Sequence, residues 1–286
     1  MVIKTLSDAL KEGIALLNEV NIETAGLDAR MLMCHVLGCD KLYLTVHKDD
    51  VLMGEDLKNY FELVSRRKES EPVSYITGTK EFMSLSFDVD ENVLIPRPDT
   101  EIVTERVINE INTPNPVIID MCTGSGAIAV SLAKYIEGAS VIALDISDGA
   151  LKIAKRNAVK NGTDVKFEKH DVLTPYTKLK ADAVVSNPPY IPQKDLSGLQ
   201  KDVIKFEPRL ALDGGDDGLV FYKAIIQNIG SCLKEGGLLA FEVGCGQAED
   251  VAKLMQAQFT HIGVEKDLAG IDRAVYGIFT PDKELL

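Results

Sequence analysis

From Pro116 onward the chain carries seven short apolar runs: "VIIDMC", "SVIALDI", "VKFEKHDV", "ADAVVSN", "GLLAFEVG", "HIGVEKD" and "RAVYGIFT". Helical patterns fall between them at Ala127 to Ile136, Asp148 to Asn161, Gly218 to Leu233 and Gln247 to Phe259. This alternation constrains the fold more than any other feature, because strands joined by helical crossovers build an open α/β sheet. Only "LAGID" separates the last two runs, which is too short for a crossover, so they should pair as an antiparallel hairpin. "LTPYTKLK", between the third and fourth runs, shows no helical pattern and leaves that crossover undefined.

The preceding residues follow a different period. Leu6, Leu10, Ile14 and Leu17, and then Ala29, Leu32, Met33, Val36 and Leu37, recur at helical spacing, with turn-like breaks at Gly26, "GCD" and "KDD". Residues 1–75 are therefore expected to form a small helical bundle. Residues 76–100 form a β-hairpin and linker, with Phe82, Leu85 and Phe87 on its strands, a turn near Asp90 to Asn92, and prolines stiffening the joint. Residues 101–286 make the α/β domain.

A chain of 286 residues, 45% of them hydrophobic, has material for a substantial core. Its formal charge is -13, and its one compact basic run, Arg66 to Lys68, reads as a solvated helix end. That balance argues against phosphate neutralisation, so no direct nucleic-acid binding is expected; an acidic surface favours a basic partner instead. The five cysteines are odd in number and form no CxxC pair, which points to a reducing compartment. With no signal-peptide core and no apolar run of membrane-spanning length, a cytoplasmic protein with no membrane association is expected. Cys34, His35, Cys39 and His47 fit no common zinc spacing, so no metal is expected and these residues are assigned to helix packing. His170 and His261 adjoin strands and are assigned structural roles.

"VIIDMCTGSGAIAVSLA" places Asp120 at a strand end, then a tight turn and a helix. Glycine in such a turn lets a ligand approach the backbone, and the helix N-terminus favours a negative group. Asp120 stands near this loop or holds its backbone amides. Asp145, closing "VIALD", can accept both hydroxyls of a ribose. Asp171 and Val172 lie where an adenine edge and face can be held, and Asp148 suits a helix N-cap. Gly124, Gly126 and Ala129 also satisfy the dinucleotide fingerprint, so the loop alone leaves S-adenosylmethionine, a dinucleotide and a purely structural turn open.

"VVSNPPYIP" sharpens the choice. Asn187 ends the fourth strand in the crevice where this fold binds ligands. Its side chain offers one acceptor and two donors, and the prolines that follow fix φ and leave carbonyls without neighbouring N–H groups. Asn187 and the Pro188 carbonyl can both accept from a planar NH2 group, with the Tyr190 ring laid over it. Orientation and electrostatic stabilisation of a poorly nucleophilic amide nitrogen are what methyl transfer to such a group requires.

With this corner, the glycine loop and Asp145 in one chain, the sequence resembles the HemK/PrmC family of S-adenosylmethionine-dependent protein-(glutamine-N5) methyltransferases. "YITGTKEF", "IPRPDTE", "EPRLAL", "DDGL", "FEVGCGQ" and "DLAGIDR" extend the resemblance over nearly the whole chain. It implies a Rossmann-like seven-stranded methyltransferase domain, with a small N-terminal helical bundle for substrate recognition joined to it by a β-hairpin. It also implies S-adenosyl-L-methionine as cofactor and the GGQ glutamine of bacterial peptide chain release factors as substrate. The loop Cys122, Thr123, Gly124, Ser125 and Gly126, with Asp145, Asp171 and Val172, would hold the cofactor. Asn187 would touch cofactor and substrate, and Pro188, Pro189 and Tyr190 would shape the substrate pocket. Arg97 and Glu101 would position the loop or the cofactor carboxylate, or form a structural ion pair. Glu207, Pro208 and Arg209 would border the glutamine entrance or stabilise their own loop. Two positions depart from the family: Cys122 stands where glycine is usual, and Val172 where an aromatic residue is often found. A nucleic-acid adenine methyltransferase and a catalytically silent cofactor-binding protein are the competing functions.

Overall fold

The computed structural model describes residues 4–52 and 54–281, which divide into two compact units. The first holds the described residues up to Gly78 together with Gln200–Phe206, and the second holds Thr79–Leu199 and the chain from Glu207 onward.

The first unit is a helical bundle with one short antiparallel pair, β1 (Lys4–Thr5) and β2 (Val51–Leu52). Helix α1 (Leu6–Asn18) begins where the Thr5 side chain accepts the Asp8 N–H at 3.1 Å. Leu6, Ala9, Gly13 and Leu17 form its buried face. A mid-helix glycine costs about 1 kcal/mol. At Gly13 it is required, because an added Cβ would lie 2.1 Å from the buried Tyr60 hydroxyl. Helix α2 (Ala25–Leu37) ends at Gly38, which takes the left-handed conformation, and Asp40 caps α3 (Lys41–Val46) by accepting from Tyr43 N–H. Helices α4 (Glu55–Lys68) and α5 (Val73–Thr77) complete the bundle. Of the basic run expected to be solvated, Arg67 is instead half-buried and donates to Asp28 at 2.8 Å, because the helix turns that position inward.

The second unit opens with the hairpin β3 (Thr79–Phe82) and β4 (Leu85–Asp88). Its turn is at Met83 and Ser84, both at positive φ, and not near Asp90 to Asn92 as expected. The twist of a two-residue connection demands positive φ there, and neither residue advertises it in sequence. Asp90 makes a separate turn after the hairpin, accepting the Asn92 N–H. Helix α6 (Asp99–Glu110), not expected from the hydrophobic pattern, comes next, and the expected strands and helices follow: β5 (Val117–Met121), α7 (Ala127–Tyr135), β6 (Ser140–Asp145), α8 (Asp148–Asn161), β7 (Val165–Lys169) and β8 (Ala181–Ser186). The short α9 (Lys201–Phe206) counts with the helical unit, and the remainder is α10 (Val220–Asn228), β9 (Leu233–Glu242), α11 (Ala248–Met255), β10 (Phe259–Lys266) and β11 (Asp272–Phe279).

The seven strands form one sheet in the order β10-β11-β9-β8-β5-β6-β7. β5 to β9 run parallel, and β11 is antiparallel to both β9 and β10, so the terminal hairpin is as the five-residue spacer requires. β9 starts four residues earlier than its apolar run, because Gly236 at positive φ lets it bulge against β8 between Ala181 and Ala183. Consecutive strand residues are buried on opposite faces. Ile119, Val184 and Phe241 join one core layer, and Ile118, Val185 and Ala240 join the other. Residues 173–180 contain no helix; this crossover is a loop pinned by the buried Tyr176. No helix among the described residues is long and apolar enough to cross a membrane.

Candidate active site

The carboxyl ends of β5, β6, β7 and β8 open onto a cavity of about 270 Å³ within the second unit. One wall is the glycine loop. β5 ends at Met121, and Cys122 then adopts φ 62, followed by Gly124 at φ 55 and Gly126 at φ 81. The left-handed conformation costs a residue with a Cβ roughly 1–2 kcal/mol, which gives a physical reason for glycine at position 122 and makes this cysteine a strained substitute. Gly124 faces open space, with no atom within 4 Å of where a Cβ would stand. At Gly126 the reason differs: a Cβ would lie 3.0 Å from that of Ala154, so this glycine lets α7 and α8 approach.

Two carboxylates shape the loop. Asp120 is fully buried; its Oδ2 accepts from the Thr123 hydroxyl at 2.6 Å and from Ala129 N–H at 3.2 Å, while Oδ1 has no hydrogen-bond partner among the described residues. Burial pushes its pKa up to about 7, against the Thr123 and Ala129 hydrogen bonds, and the nearby Asp145 raises it further. Asp145 accepts from Gly124 N–H through Oδ2 and from Ser147 N–H through Oδ1, both at 2.9 Å. Burial raises its pKa, and the amides of Ser147, Gly124 and Ile146 hold it down. The helix N-cap predicted at Asp148 is Ser147, whose hydroxyl accepts Ala150 N–H; Asp148 is the first helical residue and pairs with Lys169.

The buried Asn157 also supports this wall. Its Nδ2 donates to the Ser125 carbonyl at 2.8 Å and to the Asp88 carbonyl, and its Oδ1 accepts Asp88 N–H, tying the loop to the hairpin. Burial and the surrounding carboxylates push the Cys122 thiol well up, so it stays neutral. Because a buried neutral aspartic acid is favoured at low pH, Asp120 stabilises the fold less as pH rises from about 4 through about 7. Asp120→Asn should remove that loss. Denaturant unfolding should show the variant gaining stability relative to the parent between pH 5 and pH 8, by about 1.4 kcal/mol for each tenfold in the acid constant. An unchanged difference between the two pH values would contradict the buried assignment.

The opposite wall is the corner after β8. Asn187 follows the last strand residue, and its Nδ2 donates to Thr100 Oγ1 at 3.3 Å. Asn187 and Pro189 line the cavity, whereas Pro188 and Tyr190 do not. The Tyr190 hydroxyl turns away and donates to Glu242 Oε1 at 3.2 Å. Burial, with the Glu242 carboxylate beside it, pushes the Tyr190 phenol well up, so it remains a donor. Asp171 and Val172 are in the wall just beyond β7, together with His170.

Of the remaining predicted residues, Arg97 and Pro208 line the cavity as well, and the others take supporting places. Arg97 pairs with the buried Glu207, whose Oε2 also accepts Ile95 N–H at 3.2 Å. Glu101 accepts Met83 N–H at 2.7 Å and thereby satisfies the hairpin turn. Arg209 lies 3.4 Å from Asp213. Thr100, Ile146 and Phe221 are wall residues that sequence reasoning missed. Phe221 supplies a ring to the cavity that contains Val172, and its only signal was an aromatic residue just after "DDGL".

Comparison places these features in a class. Residues 8–78 match the family described as the PrmC N-terminal domain, and residues 99–224 match the methyltransferase small domain. A methyltransferase from Pyrococcus furiosus has the same fold, with a TM-score of 0.54 over 75% of this chain and 99% of its own, at 14% identity. The second unit is thus a Rossmann-like methyltransferase domain. The release factor glutamine methyltransferase of Clostridium acetobutylicum is 39% identical over 279 residues, covering 96% of this chain and 98% of its own length. That of Geobacter sulfurreducens is 41% identical over 263 residues, covering 91% and 92%. The chain belongs to the release factor glutamine methyltransferase family.

Proposed function

We propose that this protein transfers a methyl group from S-adenosyl-L-methionine to the side-chain amide nitrogen of the glutamine in the GGQ motif of a bacterial peptide chain release factor. The observation that carries the reading is one cavity walled on one side by the Gly124–Asp145 cradle and on the other by the Asn187–Pro189 corner. The residues present fit the cofactor. Open space faces the Gly124 backbone, and Asp145, already oriented by two amides, keeps unfilled acceptor sites for ribose hydroxyls. Asp171 and Val172 would meet the adenine, and the Cys122–Gly126 backbone the methionine part.

Bound S-adenosylmethionine supplies an electrophilic methyl on a sulfonium. The chain's own residues select and orient what meets it. With Nδ2 engaged by Thr100, Asn187 presents Oδ1 as an acceptor, and the Pro188 carbonyl, which lies outside the cavity wall itself, would be the second acceptor for the two protons of a planar amide. Holding both protons fixes the approach of the nitrogen and favours the charge it develops, effects worth several kcal/mol in other enzymes. Pro188 and Pro189 have no N–H with which to compete for those acceptors. Tyr190 supports the corner through Glu242.

The test is mass spectrometry of a GGQ-containing release factor incubated with the protein and S-adenosylmethionine. One added methyl on the glutamine side chain is expected. Methylated adenine in DNA, with binding that falls steeply as salt rises and no label on the GGQ peptide, would favour the nucleic-acid reading instead.

A further inference from the structure

The motif "DLAGIDR", Asp267 to Arg273, makes the turn between β10 and β11 and the first two residues of β11, and the cavity uses none of it. The sheet fixes where this turn stands. β5 to β9 run parallel, and the cavity opens at the carboxyl ends of β5 to β8. β11 is antiparallel to β9, with Ala274 opposite Glu242, so β11 starts at that same edge and the turn projects from it. Only β9 lies between β11 and β8, the strand that leads into Asn187. Two strand spacings, roughly 10 Å, therefore separate the start of β11 from the end of β8.

The turn is held from within and from the side. Asp267 Oδ1 accepts the N–H groups of Ala269 and Ile271, both at 2.9 Å, and its Oδ2 accepts Arg273 Nε at 2.8 Å. Asp267 N–H donates to the Ile271 carbonyl at 2.8 Å, and Gly270, at φ 80, closes the turn by donating to the Asp267 carbonyl. Arg273 also pairs at 2.9 Å with Asp99 of α6, the neighbour of Thr100, which anchors Asn187. Lys266 pairs with Asp272 at 2.5 Å, so each charged side chain from Lys266 to Arg273 has an opposite charge beside it. Out of this frame stands Leu268, fully exposed at 110%. Lone surface leucines are common. This one differs in that its backbone is fixed on both sides and that it stands on the edge where the candidate active site opens.

We propose that Leu268 is a docking contact for the substrate protein, a role that rests on the reading of Asn187 as the residue that receives the glutamine amide. It seats in an apolar depression of the release-factor domain that carries the glutamine, beside the loop that enters the Asn187 corner. A stable protein interface covers about 800 Å² on each partner, a patch roughly 30 Å across, so one centred on the mouth of the cavity extends over the turn. With its charges paired among themselves, the turn offers a partner apolar area and no net charge. A contact made by a preformed turn also loses little conformational freedom on binding.

The experiment measures kcat and KM for an intact GGQ-containing release factor, with S-adenosylhomocysteine affinity by calorimetry, melting temperature and sedimentation as controls. Leu268→Ser should raise KM roughly tenfold or more, while kcat at saturating release factor, cofactor-product affinity and melting temperature hold. Leu268→Met, which keeps the apolar volume, should stay close to the parent. Parental KM in Leu268→Ser, or a loss confined to kcat, would overturn the inference and leave the methyltransferase reading standing. So would a parent dimer that Leu268→Ser dissociates with KM unchanged, since the leucine would then meet a second copy of the chain. A parent chain that methylates no release factor would overturn that reading, and the inference with it.

Discussion

Replacing Asn187 by alanine should lower kcat for glutamine methylation by about 100-fold or more, as loss of one positioned polar group does at other active sites. S-adenosylhomocysteine affinity should change little. The separation follows from the geometry: Asn187 is anchored to Thr100 on α6, and none of its hydrogen bonds reaches the glycine loop. What alanine removes is an acceptor whose direction was already set, so the loss should appear in kcat more than in KM. Asp at this position is a sharper probe, since Asn187→Asp keeps the acceptor but replaces the donor to Thr100 with a second acceptor. Because the Thr100 hydroxyl can turn and donate to that acceptor, the variant should keep more of kcat than the alanine variant does. Rapid-quench measurement of the chemical step would check this, and a variant that binds the cofactor poorly yet turns over normally would reverse the assignment.

The glycine loop, the Asp145 strand end and the NPPY corner were legible because each is a local device: residues a few positions apart that force a turn or end a strand. The polar groups that hold these devices in place are not local. Thr100 stands 87 residues before Asn187, Asn157 reaches Asp88 across 69, and Glu242 meets Tyr190 across 52. Each sits inside a helix or strand where the hydrophobic period offers no reason for a polar side chain, so sequence alone shows an exception without its partner. The hairpin was readable from Phe82, Leu85 and Phe87, but its turn was placed too late because Met83 and Ser84 lack the usual glycine or asparagine. The reverse held at Asp148: it looked like an N-cap, but Ser147 just before it already provides one, and which of two adjacent caps is used depends on the backbone. Cys122 is intermediate, since its departure from glycine was visible whereas the positive φ that explains the preference was not.

Asp145→Ala should act on the other wall of the cavity and with the opposite kinetic signature. Its two carboxylate oxygens hold Gly124 N–H and Ser147 N–H, so the substitution removes the acceptor for cofactor hydroxyls and also leaves two part-buried amides unpaired. Hydrogen bonds to a charged group are worth about 1.5–3 kcal/mol each, and losing the cradle together with the ribose contact should weaken cofactor-product affinity by roughly 100-fold. Asp145→Asn should lie between, since one amide oxygen can still accept from Ser147 while the NH2 end opposes Gly124. At saturating cofactor both variants should keep most of the parental kcat, because the Asn187 corner is untouched. Calorimetry with S-adenosylhomocysteine and kinetics at saturating S-adenosylmethionine separate the two walls: normal affinity with a collapsed kcat in Asp145→Ala would mean that this carboxylate serves the transfer step, and that the loop is held by Asp120 and Asn157 alone.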